Sequence, residues 1–260
     1  MSEAAYTWRR EVRGALVIAK KNALLYYLRG PVLIFGVLFP VFFFLTFKMG
    51  RPVAAEAIVP GMVAMALWFT ASAVGPLVTP WERRARTYER LISSPVSLRA
   101  ILAGDVCSGL VFGVCLSVIP IGLGLLLTDA AVSSALLVLA GLVLGALSFA
   151  SLGVLLAAPP ASSPANIMLL SNLVRLPLLF VSGIFVPISQ MPAWARWISP
   201  LSPLSYAGDL IRAGFGQAPY FPLWLSVLML AVFTAALFWL HLGAAQAVTE
   251  GAILGLYRFR

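Results

Sequence analysis

The chain has 260 residues, of which 61% are hydrophobic and 10% are charged, and its formal net charge is +9. Soluble domains contain roughly 45–50% apolar residues, so the composition excludes an ordinary soluble domain and indicates a helical membrane protein. Because the apolar runs are continuous and do not alternate with polar residues, a transmembrane β-barrel is not expected. The positive charge is typical of the cytoplasmic flanks of membrane spans, so nucleic acid is not expected as a partner.

Residues 6–29 have the pattern of an amphipathic helix. Apolar residues, including Val12, Leu16 and Ala19, recur at spacings of three and four, whereas most basic residues fall elsewhere on the helical wheel. We expect this helix to lie along the cytoplasmic membrane surface, in contact with membrane lipids. An ordinary solvated leader helix is the alternative.

Uncharged apolar segments predict six transmembrane helices, since about 20 apolar residues cross a hydrocarbon core of about 30 Å. The predicted spans are residues 32–47, 57–80, 106–128, 132–157, 165–187 and 221–245. The uncharged run of residues 130–174 is too long for one span, and the prolines at 159, 160 and 164 are expected to divide it. The sequence therefore predicts an all-α membrane protein with a single transmembrane domain over residues 1–260.

The distribution of Lys and Arg predicts the orientation of the chain. With six spans, both termini lie on the same side of the membrane. That side carries 13 Lys and Arg residues, six in residues 1–31, five in 81–105 and two in 246–260. The opposite side carries four, two in residues 48–56 and two in 188–220. Because cytoplasmic segments collect Lys and Arg, we expect both termini and the 81–105 loop in the cytoplasm.

Residues 188–216 have the composition of two short apolar helices on the outer side of the membrane. Trp194 and Trp197 are three residues apart and are expected to share a helix face at the depth of the membrane interface. On a second helix beginning near Ser205, Asp209 and Arg212 are spaced to form an i,i+3 ion pair. Irregular backbone at this depth needs protein around it, so we expect re-entrant helices that pack on the bundle.

The sequence lacks the residue patterns of an enzyme. It contains no Gly-x-x-x-x-Gly-Lys-Ser/Thr loop for a nucleotide and no His-Glu-x-x-His metal site. Its lone histidine, His241, and its two cysteines, Cys107 and Cys115, are expected to be packed or interfacial side chains. We therefore expect no catalytic, cofactor-binding or metal-binding residues in this chain.

Arg175 is the one basic residue inside a predicted span. A charge near the bilayer centre costs roughly 2.5–3.5 kcal/mol on insertion scales. We therefore expect its side chain to face the bundle interior, a partner subunit or a water-filled path. Arg175 either lines that path or is satisfied by backbone carbonyls within the bundle, and the sequence leaves both readings open.

Two motifs resemble a known family. Residues 81–95, Trp-Glu-Arg-Arg-Ala-Arg-Thr-Tyr-Glu-Arg-Leu-Ile-Ser-Ser-Pro, are similar to the Glu-Arg-Glu-x-Gly-Thr-x-Glu-x-Leu-x-x-Ser/Thr-Pro segment of the ABC-2 type exporter permeases. That family includes daunorubicin-type drug exporter permeases and polysaccharide exporter permeases. Ser-Gly-Ile-Phe-Val-Pro at 182–187, followed by Pro-Leu-Ser-Tyr at 203–206, resembles the family signature ahead of the last span. The chain departs from the pattern at Arg86, where glycine is usual, and at Arg84, where an acid is common.

The resemblance implies a permease subunit of an ATP-binding cassette exporter in the inner membrane of a bacterial or archaeal cell. A separate nucleotide-binding ATPase subunit would hold ATP and Mg, and a second permease subunit, identical or related, would complete the pathway. The substrate would be hydrophobic or amphipathic: a drug, a lipid-linked compound or a glycan.

The resemblance also implies roles for particular residues. Residues 82–92 would form a coupling helix seated in a groove of the ATPase, and the external helices would form the outer gate. The coupling residues would be Glu82, Arg83, Arg86, Thr87, Glu89, Arg90, Leu91 and Pro95. The pathway or gate candidates are Arg175, Trp194, Trp197, Asp209 and Arg212.

Two other functions are compatible with the composition. An ATP-independent secondary transporter would usually show internal repeats and ionisable residues near the bilayer midplane. No convincing repeat relates residues 32–128 to residues 130–245, and Arg175 is the only such ionisable residue. A non-transporting membrane assembly factor would tolerate apolar substitutions throughout its spans. Copurification of a nucleotide-binding subunit would separate both from the ATP-driven exporter.

Overall fold

The computed structural model describes residues 3–27, 34, 38, 41–42, 45–46, 55–92, 96–159 and 163–253. Within these ranges the fold is entirely helical and contains no β-strand, which confirms the predicted all-α class. Most of the predicted first span, residues 32–47, lies outside the described residues, and so does Pro95.

The helices are numbered here in chain order. They are α1 (Glu3–Asn22), α2 (Ala55–Ala71), α3 (Val74–Arg84), α4 (Thr87–Ile92), α5 (Leu98–Leu127), α6 (Ala135–Leu156), α7 (Pro164–Phe180), α8 (Ala193–Ile198), α9 (Pro203–Gly214) and α10 (Leu223–Ile253). A π-helical turn, Ala23–Tyr27, continues α1. The 3₁₀ turns Ile188–Gln190 and Ser199–Leu201 flank α8.

Four helical stretches of the described chain are long and apolar enough to cross a bilayer: Ala57–Arg84, Leu98–Leu127, Ala135–Leu156 and Leu223–Ala244. A fifth apolar helix, Pro164–Phe180, is shorter than these. The chain therefore has the helices of a multi-pass membrane protein, and the count of six spans stays a prediction. The first of these stretches contains α2 and α3 with a break at Ser72–Ala73. The sequence predicted one span over residues 57–80 that is interrupted at Pro60 and Pro76, but Pro60 lies within α2 and Pro76 within α3.

Serine side chains mark where three of the helices begin. Ser97 Oγ accepts a hydrogen bond from the backbone N–H of Ala100, at 3.2 Å, at the start of α5. Ser134 precedes α6 and Ser163 precedes α7 with the same arrangement. A serine in this position satisfies one of the backbone donors that the first turn of a helix leaves unpaired. These caps set the start of each apolar helix after a polar connection.

Helix α6 is the centre of the bundle. It packs against α2, α3, α5, α9 and α10, and more lightly against α7. Its Phe149 meets Trp68 of α2 edge to face, with ring centroids 4.8 Å apart, and both side chains are fully buried. Leu210 and Ile211 of α9 belong to the same buried cluster. This core joins α9 to the long apolar helices.

Helices α3 and α6 cross with their backbones in direct contact. A Cβ added at Gly75 would lie 2.6 Å from Val154 Cα, and one added at Gly153 would lie 2.8 Å from the carbonyl carbon of Ser72. Only glycine fits such a crossing, because any side chain would overlap the other backbone. The crossing lies at the Ser72–Ala73 break, so the end of α2 and the start of α3 are both held against α6.

Candidate functional site

The 82–92 segment divides into two parts. Helix α3 ends at Arg84. A turn of two residues, Ala85 and Arg86, follows it, and α4 then covers Thr87–Ile92. The structure thus differs from the predicted single helix over residues 82–92. Arg86 has φ 55°, in the left-handed region that side chains other than glycine adopt at a cost. The position where the chain departs from the family's glycine therefore lies in the turn between α3 and α4.

The inner side of this segment is fixed by polar contacts. Glu82 is only 4% exposed and forms an ion pair with Lys21 of α1. Arg83 donates hydrogen bonds from its guanidinium to the carbonyl oxygens of Ala158 and Pro159, each at 3.1 Å. These two residues connect the end of α3 to α1 and to the chain just after α6.

The outer side of the segment is exposed and basic. The exposed side chains are Trp81, Arg84, Arg86, Thr87 and Arg90, while Leu91 is half-buried. The guanidinium of Arg84 lies over the Trp81 ring, 5.9 Å from its centroid. Thr87 Oγ1 donates to the carbonyl oxygen of Glu82 at 3.2 Å, which ties the start of α4 back to α3.

The predicted coupling residues therefore do not share one surface. Glu82 and Arg83 point inward, whereas Arg86, Thr87 and Arg90 are exposed. The side chain of Glu89 and all of Pro95 lie outside the described residues.

Sequence reasoning missed the polar residues that hold α1 against α5. Asn22 is buried and donates from Nδ2 to Asp105 Oδ1 at 2.7 Å and to Ser108 Oγ at 3.2 Å. At the other end of α1, Ser97 donates to the carboxylate of Glu11. The available signal was Asn22 itself, an uncharged polar residue on the apolar side of an amphipathic helix, but its partner is 83 residues away.

Asp209 connects α9 to the segment that leads into α10. It is fully buried and accepts hydrogen bonds at Oδ2 from the backbone N–H groups of Tyr220, at 3.1 Å, and Phe221, at 2.7 Å. Arg212 Nη1 lies 3.2 Å from Asp209 Oδ1, so the i,i+3 ion pair is present. Burial raises the pKa of Asp209 above its ordinary value, and the backbone donors and Arg212 oppose that shift.

Arg212 also links α9 to the end of α7. Its Nη2 donates to the carbonyl oxygen of Gly183, a residue with φ +85°. Ser202 Oγ donates to the carbonyl oxygen of Leu178 at 3.0 Å. Helix α7 ends at Phe180, seven residues before the predicted end of the fifth span at residue 187. The chain leaves it through the left-handed Gly183, which glycine adopts without steric cost.

Trp194 and Trp197 have a different environment from the Asp209–Arg212 pair. Both lie on the short helix α8, and their side chains are 63% and 83% exposed. Asp209, in contrast, has no exposed surface. The four candidates on α8 and α9 thus fall into an exposed aromatic pair and a buried ionic pair.

Arg175 connects α7 to α2. Its side chain is buried, and Nη2 donates to the carbonyl oxygen of Phe69 at 2.9 Å. The guanidinium lies 5.1 Å from the centroid of the Phe69 ring, a distance at which a cation is attracted to an aromatic face. The residue faces the bundle interior and has a backbone carbonyl partner, and a role in a pathway stays a prediction.

A metal site would need a group of three or more His, Cys, Asp or Glu side chains, and the described residues contain no such group. Within the same residues Cys107 is partly buried and Cys115 is exposed, and neither forms a disulfide.

Comparison with known proteins gives a consistent result. The sequence profile of the ABC-2 type transporter family matches residues 15–216. The inner membrane transport permease YadH of Escherichia coli K12 is 29% identical over 183 residues, which cover 70% of this chain and 71% of YadH. Nodulation protein J of Sinorhizobium fredii is 27% identical over 165 residues, covering 62% of this chain and 61% of that protein. The matched range contains both the 82–92 segment and helices α8 and α9.

Proposed function

Because the chain belongs to the ABC-2 type transporter family, we propose that it is the permease subunit of an ATP-binding cassette exporter. It moves a hydrophobic or amphipathic substrate, such as a drug, a lipid-linked compound or a glycan, out of the cytoplasm or the inner leaflet. ATP hydrolysis in a separate nucleotide-binding subunit, which holds ATP and Mg, drives the movement. The family match over residues 15–216 carries this proposal.

The proposed contact with the ATPase is the exposed side of residues 84–91. Arg84, Arg86, Thr87 and Arg90 offer charged and polar groups, and Leu91 adds an apolar side chain at their edge. The short helix α4 is suited to docking, because its Thr87 and Arg90 side chains are exposed. The basic groups favour a groove with acidic residues on the ATPase.

The contacts on the inner side support transmission of movement. The Glu82–Lys21 ion pair and the Arg83 hydrogen bonds attach the end of α3, which leads into α4, to α1 and to the chain just after α6. A displacement of α4 therefore moves α3, and the glycine crossing passes that movement to α6. Nucleotide drives the cycle only if the ATPase binds it with different affinity in the inward-facing and outward-facing states.

The pathway is completed by a second permease subunit, identical or related. Trp194 and Trp197 are the proposed aromatic surface of the outer gate, since they are the exposed pair of the external helices. Asp209 and Arg212 hold that gate to α7 and to the start of α10. Arg175 is the proposed polar residue near the pathway at midmembrane. The chain crosses the inner membrane with both termini in the cytoplasm.

The proposal is tested by purifying the tagged full-length chain from membranes and measuring Mg-dependent ATP hydrolysis in the eluate. The wild-type chain is expected to retain an ATPase subunit and its activity. Leu91→Asp is expected to lower both, because it places a negative charge against the proposed acidic groove. Glu89→Lys is expected to lower both as well, because it removes the one acidic residue of α4 and with it the proposed partner of a basic residue on the ATPase. A wild-type eluate with no nucleotide-binding subunit would instead favour an ATP-independent transporter or an assembly factor.

Asp129→Lys is the matched control. Asp129 is exposed in the turn between α5 and α6, on the predicted outer side of the membrane. Its substitution changes charge as Glu89→Lys does but leaves residues 84–91 untouched. Equal loss of ATPase in Asp129→Lys and Glu89→Lys would contradict a specific docking role.

A further inference from the structure

Helix α1 presents three distinct faces along its length. At about 100° per residue, Trp8, Val12 and Leu16 fall within about 80° of one another on the helical wheel. Arg9, Lys20 and Arg13 follow directly, within about 40° of one another. The remaining side carries Gly14, Ile18 and Asn22, among other residues. Each face has a different chemical character, and each meets a different environment.

The third face packs on α5. A Cβ at Gly14 would lie 2.9 Å from a methyl carbon of Val96, and one at Gly104 would lie 2.7 Å from the carbonyl oxygen of Ala15. Ile18 and Asn22 are buried in the same contact. The orientation of α1 about its own axis is therefore fixed by close packing, and the other two faces are held outward.

The first outward face is apolar. Trp8 is 69% exposed and Leu16 is 62% exposed, with Val12 between them on the same side of the helix. These side chains bury apolar surface if α1 lies at the edge of the hydrocarbon, which is the arrangement of interfacial amphipathic helices. A tryptophan at the first turn suits the headgroup boundary.

The second outward face is cationic. Arg9, Arg13 and Lys20 are all exposed, and their row runs parallel to the apolar row, directly beside it. A helix with its apolar row toward the hydrocarbon necessarily holds this row at the level of the lipid headgroups. The fixed orientation on α5 brings the cationic row there without any rearrangement of the protein.

We propose that Arg9, Arg13 and Lys20 form a binding surface for anionic phospholipid headgroups in the cytoplasmic leaflet. The positive row is complementary to a lipid headgroup that carries a phosphodiester and no cationic group. Each guanidinium group can also donate two parallel hydrogen bonds to phosphate oxygens. The inference rests on the proposed membrane-surface position of α1, and it adds the class of lipid that the surface selects.

The position of this surface gives the lipid a consequence for coupling. The residues of α1 that follow Lys20 are Lys21, which is paired with Glu82 near the end of α3, and Asn22, which is hydrogen-bonded to Asp105. Headgroups bound along the row hold α1 at the membrane surface and so hold the end of α3. The 84–91 surface is thereby kept at a defined height above the membrane.

Lipid selectivity is measured on the delipidated full-length chain by native mass spectrometry, titrating phosphatidylglycerol and phosphatidylcholine with identical acyl chains. We expect the wild-type chain to bind phosphatidylglycerol about a hundredfold more tightly, since each of the three cations in the row contributes about a fivefold change in binding. In the triple variant Arg9→Gln/Arg13→Gln/Lys20→Gln this preference should fall to within about twofold. Higher salt should weaken the wild-type preference.

Two controls separate charge from other effects. Arg9→Lys/Arg13→Lys keeps the charge and should keep most of the preference, whereas Arg196→Gln, which removes an exposed cation on α8, should leave it unchanged. Single variants Arg9→Gln and Arg13→Gln give the same comparison if the triple variant is unstable. Equal binding of the two lipids by the wild-type chain, or an unchanged preference in the glutamine variants, would overturn the proposal. Because the readout needs no ATPase, its failure is distinct from failure of the transporter function.

Discussion

Gly153→Ala is expected to weaken the bundle at the crossing of α3 and α6. The new Cβ would overlap the carbonyl oxygen of Ser72, its nearest neighbour, and would lie 2.8 Å from the carbonyl carbon, whereas ordinary van der Waals contact begins at 3.4 Å. Going from 2.8 to 3.4 Å requires the two backbones to separate by at least 0.6 Å, because neither is the end of a flexible side chain. The separation acts on the buried cluster that includes Val74, Val78 and Val154.

Two effects of the substitution destabilise the bundle, and one opposes them. A gap of about 0.5–1 Å forfeits a quarter to a half of the dispersion attraction between facing atoms. Overpacking of this kind costs about 3 kcal/mol at the upper end of its usual range. Alanine is about 1 kcal/mol more favourable than glycine in a helix, which offsets part of that cost. The net destabilisation is therefore about 2 kcal/mol, or about 4–8 °C in the unfolding midpoint of a chain of this size.

The assay is thermal unfolding of the purified full-length chain in detergent, followed by tryptophan fluorescence at one fixed scan rate. Gly122→Ala is the matched control, since a Cβ at Gly122 in α5 meets no atom within 4 Å. That variant should unfold at or slightly above the wild-type temperature. An unchanged midpoint for Gly153→Ala would refute the reasoning, because it would mean that the two backbones are not in contact.

Three further substitutions test other parts of the structure. Arg86→Gly should stabilise the turn between α3 and α4 by about 1 kcal/mol, because glycine adopts φ 55° without the steric cost, and a lower unfolding midpoint than wild type would contradict this. Asp209→Ala should destabilise the chain by about 3 kcal/mol, since it leaves Arg212 and two backbone donors without their carboxylate; an unfolding midpoint equal to wild type would count against that role. Arg175→Ala should leave copurification with the ATPase intact while lowering ATP-driven efflux of a fluorescent hydrophobic drug from cells by about tenfold, equivalent to about 1.4 kcal/mol. Efflux at the wild-type rate would rule out the pathway role of Arg175.

The helical and membrane character of the chain was predictable because hydrophobic length is a local property of the sequence. The runs that became α5, α6 and α10 are uncharged over most of their length, and a bilayer leaves their backbones no alternative to helix. The Asp209–Arg212 pair was predictable for the same reason, since a spacing of three residues places side chains on one helix face. Local periodicity was sufficient in each case.

The features that depend on tertiary packing were not predictable. Lys21 pairs with Glu82, which is 61 positions away, and Asn22 pairs with Asp105, which is 83 positions away. No local sequence pattern relates residues so far apart. The break at Ser72–Ala73 has no proline or glycine at its centre, and it coincides with the close approach of Gly153 from another helix. Glu82 and Glu89 were assigned one role because they belong to one motif. The structure places Glu82 inward and the later residues of the motif, such as Arg90, on the exposed side, and the turn at Arg86 lies between them.

The measurement that tests the central claim most directly is photo-crosslinking from helix α4 within intact membranes. A photoreactive amino acid replaces Arg90 in the full-length chain, and a second variant carries it in place of Arg196 on α8. The crosslinked partner from position 90 is expected to be a protein with a nucleotide-binding phosphate loop, with no such product from position 196. Absence of a nucleotide-binding partner at position 90, or equal crosslinking from position 196, would contradict an ATPase docked on residues 84–91.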